Sequence, residues 1–398
     1  MRIGIDYRLL SGRVHSGMGR YTQQQLREVL RLDSRNGYVL FCREDADVAD
    51  ILPEISAAPN VSIAWLPAVA GRAWDDLNRP ADLPRATAEL QRTIAEQEVD
   101  VFHATTPCYL DDFVPSRLDD CPLVATHYDL IPLHFSQHYL AYGAFHRSLY
   151  LRALDLLRQA DRVVAISEHV RREALEHLGV PLDRIRVAYP VADPCFRRLS
   201  EEERERILTP LRESLGLDGE FLLSVSPPHH SKNLPALIEA FRRLPSPVRR
   251  RLRLVLARDL LEEEEATVRL WAREGGIEDE LVLPGFLPDR ELAALYNAAT
   301  MVVHPSRYEG FGLPVLEAMR CGAAVIAGNA SSLPEVAGDA GLLVDPEDPA
   351  ALARAIETLA GDPSLRRELG ERAIERAARF RPEDLGRNTL EIYEEAIR

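Results

Sequence analysis

The sequence predicts an α/β protein that contains two parallel sheets, each covered by helices. The chain has 398 residues, whereas a single hydrophobic core stops growing beyond roughly 250–300 residues, so we expect two domains. Short apolar runs alternate with segments whose apolar residues recur at helical spacing, which is typical of parallel α/β units. The alternation is interrupted once, at 190–218, and then starts again.

The elements of the first half follow from this alternation. Apolar runs predict strands at 2–6, 37–42, 61–66, 99–104, 122–129, 162–167 and 184–189. Helical spacing predicts helices at 19–32, 84–97, 138–159 and 168–178. Asp6 lies inside the first apolar run, which favours a strand over a signal peptide. Ser167 precedes the last of these helices and is a suitable N-cap residue.

The second half repeats the pattern. Strands are predicted at 221–226, 253–257, 281–286, 301–306, 323–328 and 341–345. Helices are predicted at 233–244, 262–275, 289–299, 313–322 and 348–360. The polar segment before them contains no strand, so we interpret 196–218 as a linker between a domain at 1–195 and one at 219–380. The last segment, 381–398, is an amphipathic helix that the second sheet does not require.

Composition and charge exclude several classes of protein. The net charge is −15, from 63 acidic and 48 basic residues, which argues against a nucleic-acid-binding protein. No stretch approaches the roughly 18 apolar residues of a membrane-spanning helix. The cysteines are odd in number and form no CxxC pair, so we expect neither disulfides nor a zinc knuckle, and a cytoplasmic location. They are Cys42, Cys108, Cys121, Cys195 and Cys321.

One basic residue is unusual in this chain. Of the 48 basic residues, Lys232 is the one lysine and the other 47 are arginines. A chain so biased toward arginine keeps a lysine either by chance on the surface or because a compact ammonium is needed where a planar guanidinium does not fit.

The densest motif is HPSRYEGFGLPVLEAMRCG at 304–322. A predicted strand ends there, and a loop with Gly310 and Gly312 leads directly into a helix, with Pro314 suited to its first turn. The N–H groups and the positive dipole end of a helix start form an anion site that suits phosphate. Glu309 and Glu317 flank this site, and two carboxylates beside a phosphate make electrostatic sense if they accept hydrogen bonds from ligand hydroxyls.

The motif resembles glycosyltransferase family four, a family of retaining enzymes with the GT-B fold of two Rossmann-like domains. The resemblance rests on EGFGLPVLEAM and the following CGAAVIAGNASSLPEVAGDAGLLVDPEDP, is strongest over 281–349 and extends across nearly the whole chain. It implies an acceptor-binding first domain, a second domain that binds a nucleotide-sugar donor, and a final helix, 381–398, that packs back on the first domain. It also implies transfer of a hexose-type sugar to an acceptor hydroxyl with retention at the anomeric carbon.

The resemblance assigns roles to residues of the second domain. Glu309 would contact sugar hydroxyls near the reacting carbon, Glu317 would hold the ribose, and Lys232 would bind the phosphates. The backbone that would bind the diphosphate belongs to Gly310, Phe311, Gly312 and Leu313. In LPGFLPDREL, Phe286 and Leu287 would lie nearest the base.

In the first domain the resemblance points to two places. SGMGR at 16–20 follows the first strand, and Gly17 and Gly19 would approach the donor phosphates, although the same pattern fits a simple glycine turn. Where family members often read VHDL, this chain reads THYDL, so Tyr128 takes the usual histidine position and His127 lies one residue early. Because neighbouring side chains of a strand point to opposite faces, either Tyr128 or, through a bulge, His127 contacts the sugar.

A second departure lies just before the lysine. Many relatives carry an arginine there, whereas this chain has PPHHS, so His229 or His230 either replaces part of the missing charge or is a surface pair. With Lys232 and the helix start already supplying positive charge, we expect no metal and no cofactor beyond the donor. The one DxD triplet, Asp45-Ala46-Asp47, is interpreted as a solvated turn.

Other functions are compatible with the same motifs. A sugar-nucleotide epimerase, a phosphorylase or a non-catalytic nucleotide-sugar sensor would share the phosphate site, and a nicotinamide dehydrogenase ranks last because the full dinucleotide fingerprint is missing.

The acceptor would be a glycan, a lipid-linked sugar or a natural product, and loops such as 67–84 and 107–120 would determine which. The tryptophan-bearing stretch 64–74 is either an acceptor face or packing. Weak contact with an anionic membrane surface would involve Arg13, Arg20, Arg147 and Arg152.

Overall fold

The computed structural model describes residues 1–8, 17–44, 55, 57–66, 82–107, 117–118, 120–141 and 144–398. Some of the sequence predictions fall outside these residues. They concern Arg13, Ser16, the Asp45-Ala46-Asp47 triplet and most of the two loops at 67–84 and 107–120.

The described chain divides into two compact units. The first consists of Met1–Val191 together with Arg381–Arg398, and the second of Ala192–Phe380. Each unit is built on one sheet in which every paired strand runs parallel to its neighbour. Both units are therefore parallel α/β structures, as the alternation in the sequence predicts.

The sheet of the first unit has seven strands within the described residues, in the order β3-β2-β1-β4-β5-β6-β7. The strands are β1 (Arg2–Asp6), β2 (Gly37–Arg43), β3 (Val61–Leu66), β4 (Val101–Ala104), β5 (Leu123–His127), β6 (Arg162–Ala165) and β7 (Ile185–Val187). The order of the strands reverses between β1 and β4. In open sheets of this kind, ligands bind beyond the carboxyl ends of the strands at such a reversal.

Helices cover this sheet. They are α1 (Gly17–Leu32), α2 (Asp82–Glu96), α3 (Ile131–His134), α4 (Ser136–Tyr139), α5 (Ala144–Gln159) and α6 (Glu168–Leu178), with a 3₁₀ turn at Leu182–Arg184. Helix α6 begins where the sequence predicts, because the Ser167 hydroxyl accepts a hydrogen bond from the Val170 N–H over 3.1 Å. The cap occupies an N–H group that the helix itself cannot pair.

The second sheet has six strands among the described residues, in the order β10-β9-β8-β11-β12-β13. The strands are β8 (Glu220–Ser224), β9 (Leu252–Leu256), β10 (Leu281–Val282), β11 (Met301–His304), β12 (Val325–Gly328) and β13 (Leu342–Val344). The prediction of a strand over 281–286 is too long, because Pro284 has no N–H to donate to a neighbouring strand. The order reverses between β8 and β11.

The helices of the second unit are more numerous than predicted. They are α7 (Glu201–Leu215), α8 (Leu234–Arg242), α9 (Ser246–Arg249), α10 (Glu262–Glu274), α11 (Asp289–Ala298), α12 (Leu313–Arg320), α13 (Leu333–Ala337), α14 (Pro349–Gly361) and α15 (Pro363–Ala377), with 3₁₀ turns at His230–Lys232 and Glu278–Glu280. The sequence analysis missed α15, although Asp362 caps it by accepting hydrogen bonds from the Ser364 and Leu365 N–H groups, both over 2.9 Å.

The segment interpreted as a linker, 196–218, is instead part of the second unit. Helix α7 occupies most of it and packs against α11. Ser200 and Glu203 form a capping box at its start, over 3.1 Å in each direction, and Leu208 and Leu211 are its buried residues. The polar composition that suggested a linker is the solvent-facing side of a capped helix.

The final helix, α16 (Pro382–Ile397), belongs to the first unit, where it packs against α1. A Cβ atom on Gly386 would lie 2.8 Å from the Glu28 carbonyl oxygen of α1, so the glycine permits the close approach. Gln25 donates to the Thr389 hydroxyl over 3.0 Å, and the Tyr393 hydroxyl lies 2.8 Å from His103 Nδ1. The helix that the second sheet does not require thus completes the first unit.

Both sheets are enclosed by apolar side chains. Residues such as Val101, Phe102 and Val124 in the first unit and Leu222, Leu254 and Val303 in the second are fully buried. Among the helices of the described residues, none is both long enough and apolar enough to cross a membrane.

Candidate active site

A buried polar cluster lies where the second sheet reverses its strand order. Lys232 follows β8, and Glu309 follows the neighbouring strand β11, so both come from the carboxyl ends of the two strands at the reversal. The Lys232 ammonium donates to Glu309 Oε2 over 2.6 Å and to Oε1 over 2.8 Å. Residues 77 positions apart in the sequence are therefore in direct contact at the place where this fold class binds ligands.

Two further donors hold the Glu309 carboxylate. His304 Nε2 lies 2.6 Å from Oε1, and the Ser306 hydroxyl donates to the same oxygen over 2.7 Å. Because an ionised carboxylate only accepts hydrogen bonds, His304 Nε2 carries a proton. His304 Nδ1 lies 3.3 Å from the hydroxyl of Ser226, two residues after the end of β8. The carboxylate is thus oriented by groups from both strands.

The surroundings of Glu309 set its protonation. Burial on its own raises the pKa of the Glu309 carboxyl, but electrostatic attraction from Lys232 and His304, together with the hydrogen bonds they donate, outweighs it and lowers the pKa below its ordinary value. Glu309 is therefore ionised at neutral pH although only 6% of its surface is exposed. The Lys232 side chain remains 21% exposed, so part of it can be reached from solvent.

Hydrogen bonds to backbone carbonyl groups hold the loop that carries Lys232. Lys232 lies in the 3₁₀ turn at His230–Lys232, which is followed by Asn233. The side-chain amide of Asn233 donates to the Pro346 carbonyl over 2.6 Å. Arg307 ties this loop to the one after β11: its N–H donates to the Ser231 carbonyl over 2.8 Å and its guanidinium to the His230 carbonyl over 2.9 Å. Arg307 also pairs with Glu347, Nε to Oε1 over 2.5 Å.

The glycine motif after β11 opens helix α12. Gly312 has φ = 100°, and a Cβ there would lie 2.6 Å from Leu333 Cδ2, so both its conformation and its space require glycine. The Ser332 hydroxyl holds the loop, 2.9 Å from the Glu309 carbonyl oxygen and 2.8 Å from that of Phe311. The N-cap residue Gly312 makes no side-chain cap, so it leaves the positive end of the α12 dipole uncompensated.

Glu317 lies inside α12 and is a separate feature from the cluster around Glu309. It is 4% exposed and accepts a hydrogen bond from the Tyr296 hydroxyl over 3.2 Å. Tyr296 is fully buried in α11, so this carboxylate is positioned from the neighbouring helix.

The residues predicted near the base lie in the connection between β10 and α11. Phe286 is 53% exposed, whereas Leu287 is half-buried. An aromatic ring this exposed on an ordered loop suits stacking against a planar ligand.

His229, the first of the two histidines before the lysine, is not a second cation beside Lys232. Burial and the nearby charge of Lys232 lower the pKa of His229, whose Nε2 lies 3.6 Å from Glu264 Oε1. An arginine side chain does lie beside this loop, but it is that of Arg307, which the sequence analysis did not identify.

In the first unit, the two predicted glycines lie in the first turn of α1. Gly17 is exposed, with no atom of the described residues within 4 Å of where its Cβ would be, and Gly19 is buried. At the end of β1, Arg8 forms a buried bidentate pair with Asp6, Nε to Oδ1 and Nη2 to Oδ2, each over 2.8 Å. The sequence analysis did not identify this pair.

His127 and Tyr128 occupy different surroundings. His127 is fully buried, neither of its ring nitrogens has a hydrogen-bond partner among the described residues, and burial with the nearby charge of His169 lowers its pKa to about 3. Tyr128 is 8% exposed, packs edge-on against Tyr21 and has its hydroxyl 3.4 Å from the Thr22 hydroxyl on α1. Tyr128 is therefore held against α1, whereas the ring of His127 is buried without hydrogen bonds from the described residues.

His304 is the main site residue that sequence reasoning missed. It ends the apolar strand MVVH, five residues before Glu309, and is 1% exposed. A polar residue at the carboxyl end of a buried strand is the signal that points to it.

Comparison with known proteins places these features in a family. Residues 15–195 match the family described as Glycosyltransferase Family 4, and residues 210–376 match Glycosyl transferases group 1. The serotype-specific mannosyltransferase WbdA of Escherichia coli is 37% identical over 254 residues, which are 64% of this chain and 31% of WbdA. The O-antigen chain mannosyltransferase B of Escherichia coli is 34% identical over 239 residues, 60% of this chain and 62% of that protein.

A solved structure has the same fold over almost its whole length. HepE of Anabaena, crystallised with UDP and glucose, superimposes with a TM-score of 0.73 at 22% identity and covers 98% of each chain. Together with the two parallel sheets, this likeness identifies the GT-B fold. The chain spans about a third of the length of WbdA, 31%. Because the two family models follow one another across both units, the chain belongs to glycosyltransferase family four.

Proposed function

We propose that this protein is a retaining glycosyltransferase, which moves a hexose from a nucleotide-diphosphate sugar to an acceptor hydroxyl. The observation that carries the proposal is the contact of the one lysine, Lys232, with Glu309 at the strand-order reversal of the second sheet. Family membership supports the reaction class, and the mannosyltransferase names of two relatives make a mannosyl donor the first to test. The UDP and glucose bound to HepE make UDP-glucose the second.

Lys232 and the start of α12 would bind the diphosphate. An ammonium has three N–H donors, of which two are directed at the Glu309 oxygens, which leaves one for a phosphate oxygen. The backbone of Gly310, Phe311, Gly312 and Leu313 would supply N–H donors and the positive helix end. These groups are held in place before the donor arrives, so little energy is spent on reorganising them.

The Glu309 carboxylate would accept hydrogen bonds from sugar hydroxyls and keep Lys232 and His304 in position. Glu317 would hold the ribose, while Phe286 and Leu287 would pack against the base. From the first unit, Gly17 and Gly19 would approach the diphosphate. Tyr128 is favoured over His127 as the sugar contact, because Tyr128 retains some exposure and His127 has none.

In the proposed reaction the bond between the anomeric carbon and the diphosphate oxygen breaks while the acceptor oxygen attacks from the same face. The acceptor proton leaves with the diphosphate, which also takes the bonding electron pair. Lys232 and the α12 dipole stabilise the negative charge that develops on the leaving group. These positive groups supply the required charge, so the proposal needs no metal or cofactor besides the donor, and it fits a cytoplasmic enzyme that acts on a glycan, lipid-linked or natural-product acceptor.

The test is acceptor-dependent release of the nucleoside diphosphate from a panel of nucleotide-sugars. We expect Lys232→Ala to lower turnover at least ~10-fold, because a charged hydrogen bond is worth about 1.5–3 kcal/mol and about 1.4 kcal/mol is tenfold in rate. Lys232→Arg should not restore the rate, since a planar guanidinium does not replace a compact ammonium.

Arg269→Ala is the matched control, because it removes a cation of the same unit that pairs with Glu265 at the surface, over 2.8 Å. Its turnover should equal that of the unchanged protein. Full activity of Lys232→Ala would contradict the role of the lysine. Donor binding without any acceptor-dependent release would contradict the transferase proposal and favour a sensor, and a chemically altered donor sugar would favour an epimerase.

A further inference from the structure

A cluster of two histidines and a glutamate lies in the first unit, on helices that follow β5 and β6. His134 ends the short helix α3, and Glu173 and His177 lie one turn apart on α6. One ligand atom from each of the three lies within 4.8 Å of the others. His134 Nε2 is 2.5 Å from Glu173 Oε1, and the His134 and His177 rings meet edge to face with centroids 5.3 Å apart.

We propose that His134, Glu173 and His177 form a binding site for a divalent transition-metal ion, with Zn²⁺ as the best match. Two imidazoles and one carboxylate are the ligand types that zinc prefers, and three protein ligands with water as the fourth is a common arrangement for it. Ligands 2.0–2.2 Å from a tetrahedral ion lie about 3.4 Å from each other. The distances between the ligand atoms, from 2.5 Å for His134 and Glu173 up to at most 4.8 Å, lie on both sides of this spacing.

The burial of the three ligands fits such a site. The Glu173 side chain is 5% exposed, whereas that of His134 is 31% exposed and His177 is also exposed. A buried carboxyl group therefore lies beside two imidazoles that solvent can reach. An ion has an entry path and meets a negative charge at the base of the site. His169 lies on the other side of the carboxylate, with Nε2 3.7 Å from Glu173 Oε2, and helps to orient it.

The ion would join two helices that are separate in sequence. Helix α3 begins three residues after Tyr128, so metal binding would fix the segment that follows this candidate sugar contact onto α6. We assign the ion a structural role and no step in catalysis. The proposal does not depend on the proposed function, and its tests require neither donor nor acceptor.

Zn²⁺ titration by calorimetry on the full chain, freed of metal with a chelator, tests the site. We expect one ion per chain and a melting temperature that rises with Zn²⁺ concentration, because an ion that binds the folded state stabilises it. Co²⁺ as a probe should give the visible absorption of a low-coordinate N/O site. His134→Gln and His177→Gln should each weaken Zn²⁺ binding at least ~10-fold.

His138→Gln is the matched control, because it removes an exposed imidazole from the next short helix, outside the cluster. It should bind Zn²⁺ like the unchanged protein. Equal affinity in the His134→Gln and His177→Gln variants, or no binding by the unchanged protein, would overturn the proposal. If a variant fails to fold, anomalous scattering from a Zn²⁺-soaked crystal of the unchanged protein decides: a peak among the three side chains supports the site, and its absence overturns it.

Discussion

The carboxyl ends of the two sheets differ in what they hold. In the second unit, the ends of β8 and β11 carry a glutamate that contacts both a lysine and a histidine, and the lysine side chain stays partly exposed. In the first unit, β1 ends in the Asp6–Arg8 pair, which is almost completely buried and satisfies its own charges. A charge that solvent can reach is available to a ligand, whereas a buried bidentate pair is already fully engaged.

The two glycine motifs that open helices differ in the same way. Glycine is required at position 312 because its φ is 100° and because a Cβ there would overlap Leu333, so the backbone at the start of α12 is tightly constrained. Gly17 meets neither constraint from the described residues. The turn that opens α12 is therefore more constrained than the turn that opens α1, as the proposed diphosphate site in the second unit requires.

The substitution with the largest expected effect on turnover is Glu309→Gln, in the cluster of the second unit. It removes the anion that holds Lys232 and His304, and we expect turnover to fall about 10²-fold, the usual effect of losing one preorganised group. Glu265→Gln, at an exposed pair with Arg269, is the control and should leave turnover unchanged. Denaturation by urea separates a loss of chemistry from a loss of folding. Normal turnover by Glu309→Gln would show that the cluster does not serve the reaction.

Alanine at the two glycines tests the difference in backbone constraint. Gly312→Ala should lower the free energy of unfolding by about 2–3 kcal/mol, because a side chain at positive φ is strained and its Cβ overlaps Leu333. Gly17→Ala should change it by less than about 1 kcal/mol, in the stabilising direction, because alanine favours helix. Equal losses in urea denaturation would mean that the two turns are equally constrained.

The largest change of stability between pH 7 and pH 5 should come from two buried histidines of the first unit. Burial lowers the pKa values of His103 and His127 to about 3, so below pH 6.5 the unfolded chain binds protons there that the folded chain does not. Stability therefore falls as the pH decreases from 7 to 5, by about 2 kcal/mol for each histidine. His127→Phe should remove about half of this slope in urea denaturation series. An unchanged slope would contradict the buried neutral state of His127.

Most of the strands could be predicted because a buried parallel strand is a short, nearly continuous run of apolar residues, and such runs alternate with helical patterns along this chain. The sequence singled out Lys232 and Glu309 separately, and their contact becomes visible only when the strand order brings the ends of β8 and β11 together. Helix α7 was mistaken for a linker because its surface is polar and it contains Pro210, although Ser200 and Glu203 already mark its start.

Other features depend on distances that no local pattern contains. His134 and Glu173 are 39 positions apart, and their contact needs the packing of α3 on α6. Arg307 is one of 47 arginines, and its link between the two loops of the site is visible only through its contacts with Ser231 and His230. In such cases the residue type is common and the geometry alone gives it a role.

The most direct test of the account is a crystal structure of the protein with a nucleotide-sugar or its nucleoside diphosphate bound. We expect diphosphate oxygens within about 3 Å of Lys232 Nζ and of the backbone N–H groups at the start of α12. A diphosphate bound elsewhere, with the Lys232–Glu309 contact undisturbed and no ligand beside α12, would contradict the central claim.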